Sequence, residues 1–303
     1  MPYAANLEDL PLIHRGEDEI DALVERFPEH GAVIKSLHED GFAIVDLDLN
    51  PDDVGRARAL CHSIPPDKGR VQDAWKSNSA VARIATEPRL VTLLSNLYGR
   101  QAFPFQTLNF DFGTEQSAHS DTYHFNARPY GFMCGVWVAL EDVTENAGPL
   151  FYYPGSQNLP ILERSDVEGD QSYQDYEQQL TKMISAGGYK KQKALLKQGQ
   201  ALIWTANLVH GGAPRLNPSL TRYSQVTHYF FEGCAYYTPR LFDLSQNRHS
   251  VREPFSITQR KFVASDQTEL SGHPSWMKRL WWRRDIWRRV HPSWPTFRKG
   301  DGK

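Results

Sequence analysis

The feature that most restricts the fold lies between Gln101 and Phe231. Short apolar runs at 105–112, 131–141, 150–153, 200–204 and 223–231 are separated by turn-forming residues. Runs of this length, rich in aromatic and β-branched residues, predict an antiparallel β sandwich or barrel. The preceding hundred residues read as mostly helical. Ile20, Leu23, Val24, Phe27, Val33, Ile34 and Leu37 fall at helical spacing, with a break between Pro28 and Gly31. The segment 41–47 is apolar and predicts a strand. A helix starts at Asn50-Pro51, because Asn caps and Pro suits the first turn, and runs to about Ile64. Another spans 88–98 and stops at Gly99. The polar stretch 169–187, rich in Gln, Tyr and Glu, reads as an excursion over the mouth of the β core. The expected plan is a single domain over 1–270, with a helical flank over 1–100, a β core over 101–235 and a basic aromatic tail over 271–303.

Composition narrows the classes of function. Hydrophobic residues are 40% and charged residues 23%, which is ordinary for a soluble globular chain of 303 residues. No run of 18 apolar residues is present, so nothing is expected to span a membrane. The first twenty residues are acidic and lack the basic and apolar regions of a secretion signal. Cys61, Cys134 and Cys234 are odd in number and widely spaced, which argues against a disulfide framework or a zinc knuckle and for a reducing, cytoplasmic compartment. A net charge of -2 gives no general case for nucleic acid.

Three pieces carry the chemistry. In His119-Ser120-Asp121 the outer residues are two apart, so in extended backbone both side chains point to one side and can grip one metal ion. Alone the tripeptide is weak, since a solvated loop pair has the same form. The second piece is His210 before Gly211-Gly212, just after the run 200–204, where small residues let backbone pass close by. Two imidazoles and one carboxylate on one face of an octahedron leave three positions open, the arrangement of oxygen-activating non-haem iron(II). The third piece is Arg222-Tyr223-Ser224. A guanidinium fork and a hydroxyl on the same face form a receptor for a carboxylate. His124 is a rival ligand, but its offset of three from Asp121 does not place both on one side of a strand.

Together these pieces resemble the phytanoyl-CoA dioxygenase family of iron(II)/2-oxoglutarate oxygenases. The resemblance runs from about Gly41 to Phe231. It rests on His119-Ser120-Asp121, on the stretches 136–142 and 145–150, on Tyr153-Pro154-Gly155-Ser156, on His210-Gly211-Gly212 and on Arg222-Tyr223-Ser224, in that order. It departs at Gln157, where the family commonly has His, and at Gln200, where it often has Asp. The first departure marks a place where substrate recognition is expected to differ.

The resemblance implies a mainly β fold with flanking helices around a double-stranded β-helix, a jelly-roll core of cupin type. It implies Fe(2+) on His119, Asp121 and His210, 2-oxoglutarate as co-substrate with its far carboxylate on Arg222 and Ser224, O2 as oxidant and ascorbate as a supporting reductant. By its match to the family's tryptophan, Trp137 packs against the co-substrate or is simply a core aromatic. The implied reaction hydroxylates a small-molecule substrate and releases succinate and CO2. Related halogenating enzymes lack the carboxylate ligand, so Asp121 points to hydroxylation. Tyr123, His124, Asn126 and Tyr152 are candidate substrate contacts. Two other readings stand beside this one: a catalytically silent barrel that binds a ligand or partner, and a zinc-dependent hydrolase on the same ligands.

The tail is unusual. Between Ser271 and Lys303 nine Lys/Arg stand against two acids, a local +7 that leaves -9 on the rest. On a helical wheel of 276–290, Trp276, Leu280, Ile286, Trp287 and Val290 gather on one side, interrupted by Arg283. Such a segment is suited to docking on the domain, to a phosphorylated or acidic substrate, or to peripheral contact with an anionic membrane, in which case a lipid- or saccharide-linked substrate is expected.

Overall fold

The computed structural model describes residues 10–65 and 67–266. The helical flank comprises α1 (Glu17–Arg26), α2 (Gly31–Glu39), α3 (Pro51–His62), α4 (Ser79–Ala85) and α5 (Pro88–Tyr98), with β1 (Phe42–Asp46) and β2 (Arg70–Gln72) between them. Local chemistry sets these boundaries. Asn50 Oδ1 accepts a 2.9 Å hydrogen bond from Asp52 N at the start of α3. α5 ends where Gly99 takes φ of 75°, a conformation in which Gly carries no steric penalty.

The β core follows as β3 (Ala102–Phe110), β4 (Asn126–Arg128), β5 (Met133–Ala139), β6 (Leu150–Tyr152), then α6 (Tyr173–Gly187), β7 (Gln192–Lys193), β8 (Gln200–Thr205), β9 (His210–Gly212) and β10 (Ser224–Phe231). Beyond it lie β11 (Ala235–Asp243), β12 (Arg248–Val251), β13 (Phe255–Ser256) and β14 (Lys261–Phe262). Six strands form one sheet in the order β1-β8-β5-β10-β3-β2, and three form a second in the order β7-β6-β9. All of these pairings are antiparallel. The core is the jelly roll.

Both faces of the central strands β8, β5 and β10 are buried, which is why they read as continuous apolar runs rather than alternating ones. Val136, Val138, Ala201 and Ile203 face outward into a core shared with Leu37, Val54, Ile84 and Leu94 of the helices. Trp137, Ala139, Leu202, Trp204 and Val226 face inward and pack with Leu150 and Tyr152 of the small sheet.

Several elements differ from the expected plan. β1 and β2 lie in the helical flank yet complete the large sheet, and β11 to β14 extend β structure past 235. The stretch 169–187 contains a fifteen-residue helix whose Tyr176, Leu180 and Ile184, spaced by four, are buried. Ser172 and Asp175 close a capping box at its start. The short strands β7 and β9 carry no apolar run of their own and form only because β6 pairs with both. The tail and its 276–290 segment lie outside the described residues.

The turn Leu12–His14 docks on this body. The His14 ring stands edge-on to Tyr98, with centroids 6.3 Å apart. Burial, with His38 adding to it, pushes the His14 imidazole down to about 4. The unfolded chain protonates near 6.5, so between pH 6.5 and 4 the unfolded state binds more protons. The stability that neutral His14 contributes is complete above 6.5 and is lost as pH falls toward 4. His14→Gln is expected to flatten the pH dependence of denaturant unfolding across that window, measured against wild type at pH 7.5 and 4.5.

Candidate metal centre

His119 and His210 meet as backbone neighbours. Each donates its N–H to the other's carbonyl at 2.9 Å, an isolated antiparallel bridge at the edge of the small sheet. Residues directly opposed in such a pair present their side chains on the same side, and the two rings lie 4.5 Å apart. The glycines after His210 permit this approach. A Cβ on Gly211 would fall 2.6 Å from Phe151 Cζ and 2.7 Å from Gln116 O, and one on Gly212 would fall 2.9 Å from Glu115 N. Gly211→Ala is therefore expected to push away the segment that carries His119 and to weaken metal binding by about 10–100-fold, as loss of a supporting contact does. Calorimetric titration with Mn(II) reads this effect directly.

Asp121 begins the turn Asp121–Tyr123 after extended Ser120, so the spacing of two from His119 works as in a strand. Its Oδ1 lies 4.0 Å from His119 Nε2 and 3.9 Å from His210 Nε2. His119 Nδ1 is 2.9 Å from Ser117 O and His210 Nδ1 is 3.1 Å from Leu208 O. Each Nδ1 thus acts as donor, which leaves each Nε2 lone pair for an ion. One ligand atom from each of the three residues falls within 4.8 Å of the others, and all three side chains are buried. Burial pushes the His119 imidazole down to about 3, so it stands neutral. Burial pushes the Asp121 carboxyl up, but His210, His228, His119 and the Trp204 N–H together draw it below the usual range. A neutral imidazole and an ionised carboxylate are the states a metal requires. The donor set fits ferrous iron.

These groups line one cavity of about 200 Å³, together with Arg222, Trp137, His124 and His228. Arg222 is buried in its wall, its guanidinium 5.3 Å from the Trp137 ring and 5.6 Å from the Phe110 ring. Nη2 makes one long bond of 3.4 Å to Phe112 O, and Nε has no hydrogen-bond partner among the described residues. Burial lowers its pKa to about 10, still cationic at neutral pH. The Trp137 indole N–H also lacks a partner among the described residues. A desolvated cation with spare donors calls for an anion, and the far carboxylate of 2-oxoglutarate fits.

The other expected residues fall as follows. Ser224 faces the interior and is fully buried, but its hydroxyl donates to Arg222 O at 3.3 Å and it is not part of the cavity wall. His124 lines the cavity, 3.3 Å from the Tyr173 hydroxyl, and stands outside the ligand cluster. Tyr123 lies outside the wall because its ring stacks on Tyr176 at 3.8 Å. Asn126 lies outside it on β4, paired with Tyr237, its Oδ1 accepting from Ala127 N. Tyr152 faces inward beside His210 but packs on Phe42 at 4.3 Å, behind the wall. Gln157 does not line the cavity. Its Nε2 donates to Glu39 O at 3.0 Å and ties the end of α2 in place.

Gln72, Gln106, Trp204 and His228 line the cavity and were not anticipated. Parity held the signal for His228, which shares the inner face of β10 with Ser224 and Val226, at an even offset from Arg222 just before the strand. Its pairing with Gln106 on β3 and Gly135 on β5 sets three positions on one rung.

The fold and site define a non-haem iron, 2-oxoglutarate-dependent dioxygenase. The phytanoyl-CoA dioxygenase family description matches residues 68–223, just over half the chain, and the chain belongs to that family. It is 24% identical over 220 residues to the ectoine dioxygenase of Nocardia farcinica, covering 62% of this chain and 74% of that one. Among solved structures, the non-haem alpha ketoglutarate dependent carbocyclase SnoK from nogalamycin biosynthesis superposes with TM-score 0.59 at 18% identity, covering 76% and 95% of the two chains. The epimerase SnoN in complex with Fe3+, alpha ketoglutarate and nogalamycin RO superposes with TM-score 0.54 at 21% identity, covering 82% and 98%. Iron, 2-oxoglutarate and O2 are the cofactors of this enzyme, and its substrate is a small molecule. No described helix is long and apolar enough to cross a membrane.

Proposed function

We propose that the enzyme hydroxylates a small polar molecule, with His119, Asp121 and His210 as metal ligands and Arg222 as the anchor of 2-oxoglutarate. The observation that carries this reading is that both groups open into one cavity. Bound iron(II) supplies activation of O2, and 2-oxoglutarate supplies the two electrons released by its oxidative decarboxylation. The overall balance is one C–H bond, O2 and 2-oxoglutarate giving one C–OH, succinate and CO2.

The residues divide this work. His119, Asp121 and His210 would hold iron(II) through two imidazoles and one carboxylate, a donor set that leaves positions for exchangeable partners. The Arg222 fork orients the co-substrate, and Trp137 and Phe110 keep water from the guanidinium. Gln72, Gln106, His124 and His228 face the remaining space. An aliphatic chain lying there would strand their hydrogen-bonding groups, whereas a polar substrate satisfies them. Asp121 supplies the carboxylate that related halogenating enzymes lack, which supports hydroxylation. SnoK and SnoN are named as carbocyclase and epimerase, so the jelly roll alone does not choose the outcome.

The test is succinate formation by the purified protein from 2-oxoglutarate with iron(II) and ascorbate, first without added substrate. Stimulation is then sought with polar and with fatty-acyl fractions of a metabolite extract. No succinate under any condition would sink the reading, and stimulation by the fatty-acyl fraction alone would sink the polar assignment. Unchanged turnover in an Arg222 variant would favour a zinc hydrolase. The domain limits 1–270 and a cytoplasmic location remain part of this reading, the latter supported by three free cysteines. Peripheral membrane contact through 276–290 rests on sequence alone. Equal binding of anionic liposomes with and without residues 271–303 would remove it.

A further inference from the structure

The two oxygens of Asp121 have different surroundings. Oδ1 faces the Nε2 atoms of His119 and His210 at 4.0 and 3.9 Å. Oδ2 accepts a 2.7 Å hydrogen bond from Trp204 Nε1 and faces His228 Nε2 at 3.7 Å, beyond hydrogen-bond reach. Trp204 is buried, so this bond is shielded from competing water.

The indole reaches Asp121 because of the strand register. Trp204 on β8 pairs with Gly135 on β5. A Cβ at 135 would fall 2.2 Å from Trp204 Cε2 and Cζ2, so the ring lies across the space that a side chain there would fill. The next inward rung has no such gap. There Trp137 pairs with Leu202, and the Trp137 indole N–H has no partner among the described residues. The glycine thus distinguishes a tryptophan that reaches the carboxylate from one that does not.

We propose that Trp204 is a positioning residue that holds Asp121 as a one-oxygen metal ligand, with Gly135 providing the room. This rests on the reading of His119, Asp121 and His210 as the metal site. A carboxylate binds an ion through one oxygen or through both. Engaging Oδ2 with a charge-assisted hydrogen bond turns Oδ1 toward the ion and keeps the second oxygen out of a coordination position. That position then stays available to co-substrate or O2.

Trp204→Phe keeps an aromatic ring, removes the N–H and gives up part of the indole's volume. The expected result is a cooperative unfolding transition of the metal-free protein, lowered by the lost ring volume, and iron(II) affinity reduced about 10–100-fold by anaerobic calorimetry. The visible charge-transfer absorption of the anaerobic iron(II)–2-oxoglutarate complex is expected to shift, because a second oxygen enters the coordination sphere. Gly135→Ala retains the N–H but displaces the ring, and is expected to give the same spectral shift. Wild-type affinity and an unchanged band in Trp204→Phe would overturn the proposal. If neither variant folds, a wild-type crystal structure with Mn(II) decides. One Asp121 oxygen on the metal supports the proposal, and two oxygens overturn it. Failure of the wild type to bind iron(II) would instead defeat the metal-site reading itself.

Discussion

Asp121→Ala is expected to lower 2-oxoglutarate-dependent succinate formation by more than about 100-fold, since loss even of an outer partner of a metal ligand costs 10–100-fold. The variant removes the only carboxylate of the buried donor cluster. It also leaves the Trp204 indole N–H without its 2.7 Å acceptor in the interior. His210→Ala is expected to act with similar severity, and the double variant to be little worse than either single, because ligands of one ion work as a unit. Iron(II) titration and succinate release together check this. Substantial turnover in Asp121→Ala would show that the carboxylate is not a ligand and would reopen the place of His124.

The second large effect concerns Arg222. Arg222→Met is expected to raise KM for 2-oxoglutarate by the equivalent of about 2–5 kcal/mol, the cost of removing one partner from a buried charge pair. That is roughly thirty-fold to several-thousand-fold. Arg222→Lys should not restore it, because an ammonium cannot fork onto a carboxylate. A second readout is thermal unfolding. In the ligand-free protein the guanidinium is desolvated, with Nε lacking a partner among the described residues. A well-packed methionine removes that desolvation cost but also a charge that favours ionised Asp111, so thermal unfolding of the free protein should stay near the wild-type temperature. Added 2-oxoglutarate should stabilise the wild type against unfolding and not the variant. Unchanged KM with unchanged ligand stabilisation would place the carboxylate receptor elsewhere.

The long elements were legible from local rules. The helices at 17–26, 31–39, 51–62 and 88–98 announce themselves by apolar spacing, caps and terminating glycine, all of which act within a few residues. The candidate ligands were legible because His119 and Asp121 are neighbours in the chain. Which of their neighbours line the cavity was not. Tyr123 and Asn126, like His124, follow closely after Asp121 in the chain, yet a stack on Tyr176 and pairing with β11 turn them away from the cavity. Gln157, which stands out in the sequence for its place in a motif, holds a carbonyl of α2 that lies 118 positions earlier.

What the amino-acid order determined by itself is local: where backbone is helical or extended, and which residue types share a face at a spacing of two. Tertiary structure decided which of those faces meet. Cross-strand pairing set Trp204 over Gly135 and His228 beside Gln106, and it brought the bridge of His119 and His210 to the same cavity as Arg222. Periodicity tells which side of a strand a residue occupies. Register, set by the packing of the whole jelly roll, decides what lies opposite.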